Sequence, residues 1–248
     1  MNTSSTIRNH KWLLALLPLS LLLLDLALLS AQANHPDAAW ATAPYPVIAR
    51  LLAIALALSL WFWTQSLIGS RKGGPAIGDA LHDWTEPWND YLQSRPKLAN
   101  GILIVSSAFI DFFGLFLIAA GLFGTTLRPF VGLLFVFVFR QLCQALCTLP
   151  IPQKMIWRNP GVPSLLVTYG VANDFFISGH TAIAVLGAIE IARLFPWPYA
   201  LAAALVALGE AILVIVLRAH YTMDVLAAIV ASICAATLAL HLCTAFAI

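Results

Sequence analysis

The sequence predicts an all-α, polytopic membrane helix bundle of seven hydrophobic segments: a six-helix core plus an extra N-terminal helix. Three observations predict it. Hydrophobic residues make up 61% of the 248 residues and charged ones only 10%, against about 25% charged in an ordinary soluble domain; the mean hydropathy is +0.89. The apolar residues fall into seven segments, at 12–31, 46–69, 99–124, 129–149, 175–195, 197–217 and 222–246, each near the ~20 residues that a spanning helix needs. Runs such as Leu51-Leu52-Ala53-Ile54-Ala55-Leu56 do not alternate, which excludes the strands of a membrane β-barrel. The same composition excludes a soluble globular domain and a disordered chain. A net charge of +2 supplies no basic face for nucleic acid.

The first segment follows Arg8 and Lys11, has a Leu-rich centre and ends Ala31-Gln32-Ala33, the pattern of a signal peptide. Asp25 interrupts it, however, and Trp12 to Ala31 is long enough to span. We read it as a retained helix, so that residues 1–45 form an N-terminal segment ahead of a membrane-embedded core at 46–248. Between the second and third segments, the 70–98 loop opens with Gly73-Gly74-Pro75. It continues with Leu81, Trp84, Trp88 and Leu92 on one stripe and Asp79, Asp83 and Asp90 interspersed. That spacing predicts a short helix in the headgroup layer, interrupted or restarted at Pro87.

Lys and Arg set the orientation. The N-terminus, the 70–98 loop and the 150–174 loop carry Arg8, Lys11, Arg71, Lys72, Arg95, Lys97, Lys154 and Arg158; the opposite side has Arg50, Arg128 and Arg193. The first set is therefore expected in the cytoplasm. Such a chain belongs in the endoplasmic reticulum of a eukaryote or the inner membrane of a bacterium. Cys143, Cys147, Cys234 and Cys243 all lie in apolar runs without metal-ligand spacing and read as buried free thiols.

A charge inside a spanning helix costs at least ~2.5–3.5 kcal/mol on insertion scales, so the polar residues within the segments are functional candidates. They are Asp25, Asp111, Arg140, His180, Glu190, Glu210, Arg218, His220, Asp224 and His241. Each has a structural alternative, holding two helices together or snorkelling to the surface. Two clusters stand apart because their members have chemically matched neighbours.

The first runs Asn173-Asp174-Phe175-Phe176-Ile177-Ser178-Gly179-His180-Thr181. Ser178 suits an N-cap, and Gly179 lets another group approach the backbone. The helix that starts here presents free N–H groups and a positive dipole end, a phosphate site in the making. His180 in its first turn can donate a proton. The second runs Arg218-Ala219-His220-Tyr221-Thr222-Met223-Asp224. His220 and Asp224, four apart, share a helix face. A carboxylate on one imidazole nitrogen fixes the tautomer and frees the other nitrogen as base or nucleophile. Arg218 is near enough in sequence to grip phosphate oxygens.

The helix of His180 begins on the face to which 197–217 returns and from which 222–246 departs. His180 and His220 therefore share a membrane face and a depth. Two histidines, a carboxylate, an Arg and a helix N-terminus suit phosphoryl transfer, with one His as nucleophile and the other as general acid. No metal or cofactor is expected. Glu190, ten residues or roughly 15 Å along the helix from His180, stays outside the catalytic set with Glu210. Arg140, in the second half of its helix, is expected near the active face, pairing with Asp111 or binding phosphate.

At these residues the sequence resembles a known superfamily. Ser178-Gly179-His180 and His220-x-x-x-Asp224 are similar to the last two motifs of the membrane-embedded type 2 phosphatidic acid phosphatases. The fuller forms, Asp174-x-x-x-Ser178-Gly179-His180-Thr181 and His220-Tyr221-Thr222-x-Asp224, resemble the sphingomyelin synthase branch. So does Arg140 followed by Thr148-Leu149-Pro150-Ile151-Pro152. The Arg218-x-His220-Tyr221-Thr222-x-Asp224 form also resembles plant phosphatidylcholine:diacylglycerol cholinephosphotransferases. The resemblance covers about 99–235. It implies that His220 is the nucleophile forming a phosphohistidine, with Asp224 its orienting partner. His180 then protonates the departing diacylglycerol oxygen and later deprotonates the acceptor. Asp174 matches the acidic residue of the Ser-Gly-His motif, and Asp111, with Gly114 three residues on, an acidic position in an earlier helix. Gly121 stands where the phosphatases' Lys belongs and Val214 where their Arg belongs, which argues against a plain phosphatase. The proline-rich first motif of the sphingomyelin synthases is not evident.

The expected activity is transfer of phosphocholine or phosphoethanolamine from a membrane phospholipid donor to a lipid alcohol acceptor, diacylglycerol above all. The expected substrate and phosphate-binding residues are Asp174, Ser178, Gly179, Arg140, Arg218, Tyr221 and Asp111. A lipid phosphate phosphatase and a non-catalytic transporter or scaffold are the alternatives, and a homodimer stays open.

Overall fold

The computed structural model describes residues 45–70, 77–169 and 175–247. The 12–31 segment with Asp25, the Gly73-Gly74-Pro75 turn, and Asp174 lie outside the described residues. Among the described residues the chain is all-helical, with eight helices: α1 (Tyr45–Gly69), α2 (Ala80–Trp84), α3 (Glu86–Gln93), α4 (Pro96–Phe123), α5 (Arg128–Leu146), α6 (Gly179–Leu194), α7 (Trp197–Val216) and α8 (Thr222–Ala245). Five of them, α1, α4, α5, α7 and α8, are long and apolar enough to cross a membrane, as an integral membrane protein requires.

The helix limits follow local chemistry. Prolines occupy the first turns of α3, α4, α5 and α7, where the missing N–H costs nothing. The apolar segment expected to run to 149 stops at Leu146, and Cys147 is already extended, three residues ahead of Pro150. Cys147 and Cys234 lie on the outside of the bundle and Cys143 is half-buried, so the expectation of buried thiols holds only for Cys243.

α6 lies at the centre, packed against α4, α5, α7 and α8, while α1 rests on α4 and α5. At 16 residues it is about 24 Å long, short for a lipid-facing span. Its position explains the tolerance: Ala182, Ala184 and Leu186 are fully buried, so protein rather than lipid surrounds it. Gly187 admits the Phe113 ring of α4 where a Cβ would stand 2.4 Å away. At the far end from the histidines, Glu190 accepts from Arg128 at 2.9 Å and Arg193 at 2.7 Å, tying α5 to α6. Glu210 accepts from the Ser106 hydroxyl at 2.6 Å, tying α7 to α4. Both glutamates bond across helices, as one of their sequence readings expected.

The amphipathic stripe of the 70–98 loop is corrected. The loop does form short helices broken before Pro87, but its apolar residues divide. Leu92 is buried against the bundle with His82 and Asn89, whereas Trp84 is 82% and Trp88 62% exposed. The buried face runs through His82, Thr85, Asn89 and Leu92, so it is offset from the stripe, and the two tryptophans fall outside it. Asn89 donates to the Val216 and Lys154 carbonyls, fastening α3 under the end of α7.

Candidate active site

The ends of α1, α5, α6, α7 and α8 and the segments 150–169 and 175–178 converge on one face of the bundle. Between them lies a cavity of about 50 Å³, with Gln65, Arg140, Trp157, Gly179, His180 and His220 in its wall. That is several times the ~10–15 Å³ needed for one water.

α6 builds the first half of the site. Ser178 adopts an extended conformation as N-cap, and its hydroxyl accepts from Thr181 N at 3.2 Å and Thr181 Oγ1 at 3.0 Å. The helix therefore starts at Gly179 and places His180 in its first turn. Arg140 Nε donates to the Ile177 carbonyl at 3.0 Å. Its guanidinium lies beside Gly179, 3.7 to 3.9 Å from where a Cβ would be. A helix N-terminus and a buried guanidinium thus sit side by side, and both attract an anion. Arg140 Nη1 also donates to Gln65 Oε1 at 2.9 Å, and Gln141 donates to the same oxygen. His180 Nε2 is buried, with no hydrogen-bond partner among the described residues. The ring meets Trp157 edge-on at 5.0 Å.

α8 builds the second half. His220 Nδ1 lies 3.2 Å from Asp224 Oδ2, which also accepts from Tyr221 N at 3.1 Å. The carboxylate holds the Nδ1 proton, so Nε2 keeps its lone pair. Asp224 is completely buried, and its backbone carbonyl accepts from Ser178 N at 3.1 Å. That bond joins the two motifs directly.

Four expected site residues take other places. Ser178 acts as a cap rather than in the cavity wall. Arg218, in the left-handed region at φ 53° just past the end of α7, directs Nη2 to the His82 carbonyl at 2.8 Å. Tyr221 donates its hydroxyl to the Pro150 carbonyl at 3.1 Å, pinning the Thr148–Pro152 stretch. Asp111 does not face Arg140: its carboxylate accepts from Ser164 Oγ and from the N–H groups of Leu165 and Leu166. It fixes the turn that carries Leu166, Val167 and Thr168 into the cavity wall. Gly114 leaves room for the tip of the Leu166 side chain, which a Cβ there would meet.

Sequence reasoning missed the residues that brace the His220 segment. His82 Nε2 donates to the His220 carbonyl at 2.9 Å, and its ring stacks on Tyr221 at 5.5 Å. Asp79 accepts from Thr222 N and Thr222 Oγ1, both at 2.6 Å, and caps α2 through Leu81 and His82. Burial pushes the Asp79 carboxyl up, but the Thr222 hydrogen bonds and the nearby His82 outweigh it and leave it below its ordinary 3.8. This clamp is therefore fully present above that value and is lost only as pH falls through the lower folded one. The one signal was a pair of acidic and imidazole side chains in an otherwise amphipathic loop, and nothing in it named Thr222 or His220 as partner.

The His82 bond yields a prediction. His82→Ala should lower turnover about five-fold, since one buried hydrogen bond contributes ~1 kcal/mol. His82→Gln, which keeps a donor, should recover most of it. Equal loss in both variants would show that the ring's packing matters and the bond does not.

Comparison with known proteins finds a family model over the same region. The family model AtPDCT1/2 matches residues 79–241, a span that begins at the clamping Asp79 and contains both histidines. No curated protein and no solved structure matches the chain. With about two thirds of its length under that one family model, the chain belongs to the AtPDCT1/2 family.

Proposed function

We propose that the protein transfers phosphocholine from a phospholipid to diacylglycerol through a phosphohistidine. Two observations support it. AtPDCT1/2 is a phosphatidylcholine:diacylglycerol cholinephosphotransferase family. The observation that carries the mechanism is the pair of histidines on one cavity, with His220 backed by a buried carboxylate beside Arg140 and the start of α6.

The chemistry runs in two balanced halves. His220 Nε2 attacks phosphorus; the P–N bond forms and the bond to the diacylglycerol oxygen breaks. His180 gives that oxygen its proton. The phosphodiester anion beside it favours the protonated imidazole. In the second half an acceptor hydroxyl gives its proton to His180 and attacks phosphorus. The P–N bond breaks and His220 is regenerated. Arg140 and the first turn of α6 stabilise the charge on the equatorial oxygens. Asp224 holds the cationic His220 while it carries the phosphoryl group. Phe175, edge-on to His220 at 5.9 Å, shields the intermediate from water.

The test uses purified protein in micelles, diacylglycerol, and phosphatidylcholine labelled in its choline. Label should appear in a new phosphatidylcholine species. His180→Gln should slow this transfer by about 10²–10⁴. Loss of p-nitrophenol from p-nitrophenyl phosphocholine, whose leaving group needs no proton, should survive far better. Equal loss on both substrates would remove His180 as the acid. Phosphate release from phosphatidic acid without an acceptor lipid would replace transfer with hydrolysis.

A further inference from the structure

We propose that Trp157 and Tyr169 form the wall that receives the quaternary ammonium of the donor headgroup, and so select choline over ethanolamine. The proposal rests on the transferase reading above and adds to it the residues that read the headgroup.

The position follows from covalent geometry. A phosphorus held between His220 and His180 carries its ammonium only one ethylene bridge away. The cation must then lie within a ring's width of the histidines. Trp157 stands there: its ring centroid is 5.0 Å from that of His180, and the Tyr169 ring is 5.0 Å beyond, tilted by 39°. Trp157 borders both the histidine cavity and an open recess of about 460 Å³ that Tyr169 also lines. The recess leads outward from the reacting centre past two half-buried aromatic rings.

Both rings are held in place. Trp157 Nε1 donates to the Thr168 carbonyl at 3.3 Å. The Tyr169 hydroxyl is bonded to Ser107 and the Leu103 carbonyl of α4. The loop between them is anchored by Asp111. Fixed π faces attract a cation within about 6 Å of the ring centroid. A trimethylammonium has no N–H to satisfy, so rings suit it. A primary ammonium has three, and the hydroxyl of Tyr169 is already engaged. Arg158 borders the recess, but its guanidinium is bonded to Asn100 Oδ1 and the Pro96 carbonyl.

The experiment has two arms. In the first, wild-type, Trp157→Leu and Trp157→Phe proteins receive phosphatidylcholine and phosphatidylethanolamine in competition. Trp157→Leu should raise KM for phosphatidylcholine about ten-fold, and by about five-fold or more beyond its effect on phosphatidylethanolamine. Trp157→Phe should restore most of the choline preference. An equal loss on both donors, or a fall in kcat alone, would overturn the proposal. In the second arm, calorimetry measures phosphocholine and phosphoethanolamine binding to His220→Gln protein, with and without Trp157→Leu. This arm needs no turnover, so it decides headgroup recognition even if transfer itself fails. Tighter phosphocholine binding that vanishes with Trp157→Leu supports the wall; equal binding of both headgroups, or a preference untouched by Trp157→Leu, overturns it.

Discussion

His220→Gln is expected to bring headgroup transfer to background, a loss of roughly four orders of magnitude or more. The glutamine side chain offers no nucleophile, so no bond to phosphorus forms. The fold should persist. The His220 carbonyl that accepts from His82 belongs to the backbone, and a glutamine amide can still donate to Asp224. Two readouts check this: label transfer, and acid-labile phosphorus on the protein after a single turnover with labelled donor. Activity within ten-fold of wild type would end the phosphohistidine mechanism.

Asp224→Asn is expected to cost about 10²–10³ in transfer, through the loss of the negative charge that stabilises the cationic imidazole. The carboxylate accepts from His220 Nδ1 and Tyr221 N on one oxygen. An asparagine oxygen in that place can still accept from both, so the tautomer is kept. Its nitrogen takes the place of Oδ1, which is buried without a hydrogen-bond partner among the described residues, and the negative charge is lost. The cationic phosphohistidine thereby loses its counter-charge. Stability should fall less, by about 0.5–2 kcal/mol, because the amide preserves most of the cap on α8. A thermal melt beside the rate measurement separates the two effects. Transfer within ten-fold of wild type at an unchanged melting temperature would remove Asp224 from the mechanism.

Both predictions rest on groups that the sequence already brought together. Much of the fold was legible for the same reason. Apolar runs of spanning length marked α1, α4, α5, α7 and α8, because in lipid a backbone must satisfy its own hydrogen bonds. Ser178 marked the start of α6, because a cap is a contact three residues long. His220 and Asp224 paired because four residues make one helical turn. Gln65 went unread among the charged residues, although a polar side chain so deep in an apolar run was visible in Thr64-Gln65-Ser66.

What the sequence determined by itself was therefore everything set within a turn or a hydrophobic run: the membrane class, the helices, the two motifs and their shared face. The tertiary structure decided the rest. The His82 and Asp79 clamps reach 138 and 143 residues along the chain. Arg218 turns to a carbonyl 136 residues away. Asp111 fixes a turn more than fifty residues on rather than a phosphate. Trp157, in a loop without regular structure, meets His180 only because α6 begins where that loop closes. Such partners depend on how the helices close around α6, and no local spacing encodes a contact between segments that far apart.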